Sequence, residues 1–120
     1  MADEQWAIEF YTDEQGNSPV REFLKTLDKK TKARFNWSIE ELRIRNITAR
    51  EPLVKHLEGK IWELRRASSG NIYRLLYFFF VGKRIVFVHG LQKKTQKTPR
   101  KEIETAIARM EAYIEGEGGE

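Results

Sequence analysis

The run Leu75-Leu76-Tyr77-Phe78-Phe79-Phe80-Val81 constrains the fold more than any other feature. It carries no polar alternation. Successive side chains of a strand point to opposite faces, so such a run needs apolar cover on both. It reads as a central strand, sandwiched over part of its length. It is far too short to cross a bilayer, which takes roughly 20 residues as helix.

The flanking sequence supplies the rest of the sheet. Ile61 to Arg66 reads as one strand and Ile72 to Phe80 as the next, joined by a hairpin-like loop at Ser68-Ser69-Gly70-Asn71. Gly82-Lys83 sits in a short turn before a strand from Arg84 to Leu91. Loops this short make the three strands an antiparallel meander. Upstream, Trp6 to Tyr11 reads as a first strand and Asp13 to Asn17 as a turn. Ser18-Pro19 resembles an N-cap with Pro at the first helical position, and Val20, Phe23, Leu24 and Leu27 mark one apolar helix face. A second helix is expected from about Lys30 to Ile47, with Phe35, Ile39 and Leu42 buried. Glu51-Pro52 closes that region. Thr98-Pro99 repeats the cap signature. Ile103, Ala106, Ile107, Met110 and Ile114 then mark a C-terminal amphipathic helix.

The expectation is a single α+β domain over 1–114, ordered β-α-α-β-β-β-α. The Gly- and Glu-rich residues 115–120 are read as a disordered tail. No linker or internal repeat divides the 120 residues. There are no cysteines, so disulfides, Cys-held zinc and a Cys nucleophile are excluded. That suits a cytoplasmic protein, as does an acidic N-terminus without an apolar signal core. No membrane association is expected.

Charge is unevenly placed. Between Lys55 and Lys101 twelve Lys or Arg face only Glu58 and Glu63, although the whole chain is only +4. Cationic side chains on strand positions, with few acids beside them, point to an anionic polymer as partner. In the first meander strand Trp62 and Leu64 share one face, and Glu63 and Arg65 the other. Helix packing is expected to claim the Trp62 face. In the next strand Arg74 alternates with Tyr73 and sits among apolar neighbours. In the last, Ile85, Phe87, His89 and Leu91 are read as sharing a face. Arg65, Arg74, His89 and the lysines of Lys93 to Lys97 then gather toward one end of the sheet.

Arginine clamps phosphate bidentately, and lysine adds a mobile charge. Tyr73, Tyr77 or a Phe offers a stacking surface for an unpaired base. RNA carries its own nucleophile, the 2′-OH. An enzyme needs to remove its proton, stabilise the charge on phosphorus and protonate the leaving oxygen. Lysines crowded by cations can serve as bases. Scarce acids argue against a carboxylate-held Mg²⁺, so no metal or other cofactor is expected. Each residue also has a structural reading. Arg65 and Arg74 can pair with Glu63 or a helix carboxylate. Lys93 to Lys97 can be a solvated turn, and Lys55-His56 a plain loop. His89 can be a hydrogen-bonded core imidazole. Trp6, Trp37 and Trp62 read as core rather than as base-stacking platforms.

Three stretches taken together carry a resemblance: Leu57-Glu58-Gly59-Lys60-Ile61-Trp62-Glu63-Leu64-Arg65, Tyr73-Arg74-Leu75-Leu76-Tyr77, and His89-Gly90-Leu91-Gln92-Lys93-Lys94-Thr95-Gln96-Lys97-Thr98-Pro99. They resemble the HigB-type, phage-derived branch of the RelE/ParE toxin superfamily, over nearly the whole chain. The resemblance implies a RelE-like domain and a toxin of a type II toxin–antitoxin pair. Such a toxin is an endoribonuclease that cuts mRNA in the ribosomal A site by metal-free 2′-OH attack. A helix-turn-helix antitoxin is the implied partner. It places Arg65, Arg74, Lys93, Lys94 and His89 as catalytic positions, and Lys55, Lys60, Tyr73, Lys97 and Arg100 as RNA-binding ones. It does not assign which Lys or His is base and which acid. A ParE-like gyrase inhibitor and a non-catalytic RNA-binding relic are the alternatives. The cationic strands favour RNA.

Overall fold

The computed structural model describes residues 5–117. Its elements are β1 (Ala7–Phe10), α1 (Pro19–Lys25), α2 (Lys29–Arg45), a 3₁₀ turn at Asn46–Thr48, β2 (Val54–Glu58), β3 (Ile61–Ser68), β4 (Asn71–Phe80), β5 (Arg84–Lys93) and α3 (Arg100–Gly116). The Ser18 side chain accepts from the Arg21 N–H and caps α1. Asp28 does the same for α2, accepting from Thr31 N–H at 2.7 Å. The α2 helix stops at Arg45, two residues before the expected Ile47, and a 3₁₀ turn follows it. Asn46 takes a positive φ of 42°, which asparagine tolerates better than most residues. Its amide donates to the carbonyls of Arg43 and Ile44, satisfying the helix end.

The five strands form one sheet in the order β1-β5-β4-β3-β2. The meander β3-β4-β5 is antiparallel as expected, and β1 joins β5 in parallel. At the β3–β4 turn Ser69 and Gly70 both take positive φ, the geometry that lets a two-residue hairpin follow the strand twist. The β2 strand was not foreseen. Lys55-His56 is strand, pairing antiparallel with Glu63 and Trp62, rather than loop. Being a short edge strand with Lys55 and His56 exposed, it carries charged residues where a central strand would carry apolar ones.

Both faces of β4 are covered. Leu75 and Tyr77 are buried under α1 and α2 with Val20, Phe35, Ile39, Leu42, Leu64 and Phe87. Leu76, Phe78 and Phe80 are buried on the other face against Ala106 and Met110 of α3. The sheet is thus sandwiched, as the uninterrupted apolar run requires. Trp62 does pack on the α1/α2 side.

Two details depart from the strand reading. The register of β4 and β5 shifts between Leu76 and Tyr77, which face His89 and Phe87. The extra residue, Val88, makes a bulge and reverses the alternation beyond it. Ile85 and Phe87 therefore lie in the α1/α2 core, whereas Leu91 lies in the α3 core. His89 goes with Leu91 and bonds side chains of α3. The α3 start also differs. Pro99 occupies the cap position with no side-chain cap, because the Thr98 hydroxyl donates to Glu63 instead. At the other end α3 takes in Glu115 and Gly116 of the expected tail, and 118–120 lie outside the described residues.

Candidate functional site

Arg74 is the largest fully buried side chain. Its guanidinium donates to the backbone carbonyls of Thr95, Gln96 (3.0 Å) and Lys97 (3.4 Å). Its Nε lies 3.8 Å from the equally buried Glu63 carboxylate. Arg65 donates from Nε to Glu63 at 2.8 Å and from its terminal nitrogen to the Gln96 carbonyl at 2.7 Å. Thr98 donates to the other Glu63 oxygen. The β5–α3 loop is therefore wrapped around two arginines that share one carboxylate. Buried charges persist when paired and hydrogen-bonded in this way. Burial pulls the Arg74 pKa down from its usual value, the Arg65 charge adds to that, and Glu63 opposes it. Arginine stays protonated regardless.

Register explains the assembly. Arg65 is directly opposite Arg74, and Glu63 is opposite Leu76, so all three side chains occupy the α3 face. This face is covered by α3 toward Phe78 and by the loop toward Arg65. Arg74 accordingly touches the loop and not solvent, which answers its apolar neighbours in the sequence. Tyr73 alternates to the other face and packs half-buried against the α1/α2 core. It does not join Arg65 and Arg74.

His89 sits in a second polar cluster. Its Nδ1 is 2.9 Å from an Arg109 terminal nitrogen, and its Nε2 is 2.5 Å from Glu102. Guanidinium only donates, so Nδ1 must accept, and the neutral ring carries its proton on Nε2, toward Glu102. Lys93 reaches the other Glu102 oxygen at 3.9 Å. Burial lowers the His89 pKa from 6.5, Arg109 adds to the effect, and Glu102 opposes it. Both ring nitrogens are engaged, so the structure places His89 as a core imidazole on the sheet–α3 interface.

The lysines remain outside. Lys94 and Lys97 are exposed on the loop, and Lys55 and Lys60 are exposed on β2 and its turn. Arg100, at the start of α3, pairs with Glu58 and Glu104, which raise its pKa. A cleft of about 270 Å³ opens where β3, β4 and the loop meet, lined by Arg65, Ala67, Gly70, Asn71, Ile72, Lys94 and Gln96. Lys55 lines a smaller one that shares Arg65. Of the expected set, Arg65 and Lys94 meet in one cleft, with Arg74 behind them holding the loop. Glu102 and Arg109 escaped the sequence reading, and Trp37 was misplaced by it. Glu63 was read there as a possible partner of Arg65 and Arg74 and is that partner, whereas Arg109 was visible only as a charge close to an apolar helix stripe. Trp37 was read as core but is 61% exposed on α2. Among the described residues no three His, Asp or Glu side chains cluster closely enough to hold a metal ion, and no helix is long and apolar enough to cross a membrane.

This is a small α+β domain with a mixed five-stranded sheet and a cationic cleft at the strand ends. The family model for phage-derived protein Gp49-like (DUF891) matches residues 22–111, and the chain belongs to that family, the phage-derived, HigB-type group its motifs resemble. It is also similar to a protein named probable endoribonuclease HigB1 in two strains of Mycobacterium tuberculosis, CDC 1551 / Oshkosh and ATCC 25618 / H37Rv. Identity is 37% over 60 residues in both. That match covers 50% of this chain, and the chain spans about half the length of these curated relatives (47%).

Proposed function

We propose that the protein is the toxin of a type II toxin–antitoxin pair and an endoribonuclease that cuts mRNA on the ribosome. The observation that carries this is the cleft where Arg65 and Lys94 stand together, braced from behind by buried Arg74 and Glu63. The family membership and the name of the relatives support the same reading.

In this mechanism the RNA backbone lies across the strand ends. The 2′-oxygen attacks the adjacent phosphorus, and its proton passes to a lysine of the loop. Lys94 is the first choice, because it lines the cleft. The P–O5′ bond breaks, and the departing oxygen takes a proton from a second loop lysine, Lys97 or Lys93. The products are a 2′,3′-cyclic phosphate and a 5′-hydroxyl. Arg65 stabilises the extra negative charge on phosphorus, a role suited to a preorganised planar donor. Its Glu63 and Gln96 contacts fix its orientation before substrate arrives. Arg74 is a positioning residue. His89 acts through Glu102, which it shares with Lys93. Lys55, Lys60 and Arg100 form a basic rim for neighbouring phosphates. Tyr73, on the far face, supports the sheet. A helix-turn-helix antitoxin would neutralise the protein, which acts in the cytoplasm.

The test is induction in a bacterial host with mapping of RNA 5′ ends. The expected result is cuts within translated reading frames, abolished by blocking translation and lost in Lys94→Ala. Growth arrest with intact mRNA and double-strand DNA breaks would point to gyrase instead. No arrest and no cuts would leave a binding relic.

A further inference from the structure

A second cleft shares Arg65 with the first, and its other residues have no role in the chemistry above. It is about 350 Å³, lies between α2, the loop after it and β3, and is framed by Trp37, Arg45, Arg50, Glu51, Arg65 and Arg66. Trp37 is the prominent member. Although 61% exposed, it is held in place, with the Arg66 guanidinium over its ring at 5.7 Å. Arg66 is itself anchored through Nε to the buried Ser38 hydroxyl at 2.8 Å. Arg45 bonds Glu41 through Nε. Among the described residues, the terminal nitrogens of Arg45 and Arg66 carry no hydrogen bond.

We propose that this cleft is a nucleobase subsite, in which an unpaired base flanking the cleaved phosphate stacks on Trp37 while Arg66, Arg45 and Arg50 take up the neighbouring phosphates. This rests on the proposed RNA-cutting function and adds to it a place for the flanking nucleotide. Three observations favour RNA. A large exposed indole with an arginine above it is a stacking platform for any base. Four arginines line the cleft against two glutamates, Glu41 and Glu51, whereas the centre of a protein interface is depleted of charge. Finally, Arg65 lines both this cleft and the one holding Lys94, so one strand of RNA can run from one to the other. The other exposed aliphatic residues of this region, Ile44 and Ile47, do not line the cleft.

The experiment is fluorescence anisotropy with a short, labelled, single-stranded RNA oligonucleotide carrying 2′-O-methyl sugars, so that no 2′-OH attack occurs. A second probe of the same length lacks its bases. Trp37→Ala is expected to weaken binding of the first probe about tenfold, within the range of base–aromatic stacking. It should leave the abasic probe unaffected. Trp37→Phe should keep most of the affinity. Thermal melting of each variant shows that the fold is intact, and Trp37→Gln provides a second side chain without a ring. Unchanged affinity of Trp37→Ala and Trp37→Gln for the base-bearing probe overturns the proposal. So does an equal loss on both probes. If Lys94→Ala weakens binding while the Trp37 variants do not, this subsite fails and the proposed function stands. If the unaltered protein neither binds the probe nor cuts translated messages, both fail. Normal RNA binding by Trp37→Ala, with loss of neutralisation by a co-expressed protein, would make the ring a protein anchor and likewise overturns the proposal.

Discussion

At the scale of single residues, the site depends on charges that never meet water. Arg74 and Glu63 are both wholly buried. Removing Arg74 leaves Glu63 its Arg65 and Thr98 partners. It strips three loop carbonyls of their donor, however, and opens a cavity under the loop, and a large buried side chain cut to Ala typically costs about 3–5 kcal/mol. Arg74→Ala should therefore lower the urea-unfolding free energy by about that much, and should free the loop that presents Lys94. Arg74→Lys keeps the charge but loses the planar fork that reaches three carbonyls, so it should fall in between. Arg74→Ala unfolding like the unaltered protein would contradict the structural role. His89 gives a pH dependence. Its folded pKa is held below 6.5, mainly by burial with help from Arg109. The unfolded state then binds the proton more readily, and stability rises with pH through this range. Acidification from about pH 7 toward pH 5 should reduce the melting temperature, and His89→Gln should flatten that slope relative to the unaltered protein.

Among elements, the β5 bulge decides the most. Without Val88 as an extra residue, His89 would face the α1/α2 core and could not meet Glu102 and Arg109. The same reversal turns Gly90 toward α1. A Cβ at Gly90 would lie 2.5 Å from the Phe23 ring. Gly90→Ala is thus expected to cost about 1–3 kcal/mol, in line with other overpacked sites, as read by chemical denaturation. Adding Phe23→Leu should recover part of the loss. No loss in Gly90→Ala would mean that α1 is free to move. The helices were readable from apolar spacing, and α1 also from its Ser18 cap; the Asp28 cap of α2 came only with the structure. The sandwiched β4 was readable from its unbroken apolar run. The β2 strand was not. A five-residue edge strand with a buried, two exposed and two half-buried residues has no apolar alternation to reveal it, and its pairing with Glu63 and Trp62 is a tertiary fact. Thr98 shows the same limit. Its sequence is that of a helix cap, but a buried carboxylate competes for the hydroxyl and wins.

For the whole molecule, charge separation sets how RNA would bind. The segment from Lys55 to Lys101 holds twelve of the 22 cations but only two of the 18 acids. Affinity for a single-stranded oligonucleotide should fall steeply with salt, by about 0.7 in the logarithmic slope for each phosphate neutralised. Replacing Lys94 and Lys97 together with Ala should reduce that slope by about 1.4. An unchanged slope would place the contacts elsewhere on the surface.

The sequence by itself determined the α+β class, the meander, the double-sided burial of β4 and the concentration of cations on the strands. Each follows from local periodicity, turn chemistry or composition. It also carried the motifs shared with the phage-derived family. Only the tertiary structure decided which of those cations are buried and which line a cleft. Register placed Arg74 beneath the loop and Arg65 beside it, the bulge withdrew His89 into a paired cluster, and packing left Trp37 outside. Whether a charge is buried or exposed depends on what other elements lay over it, and no stretch of neighbouring residues contains that information.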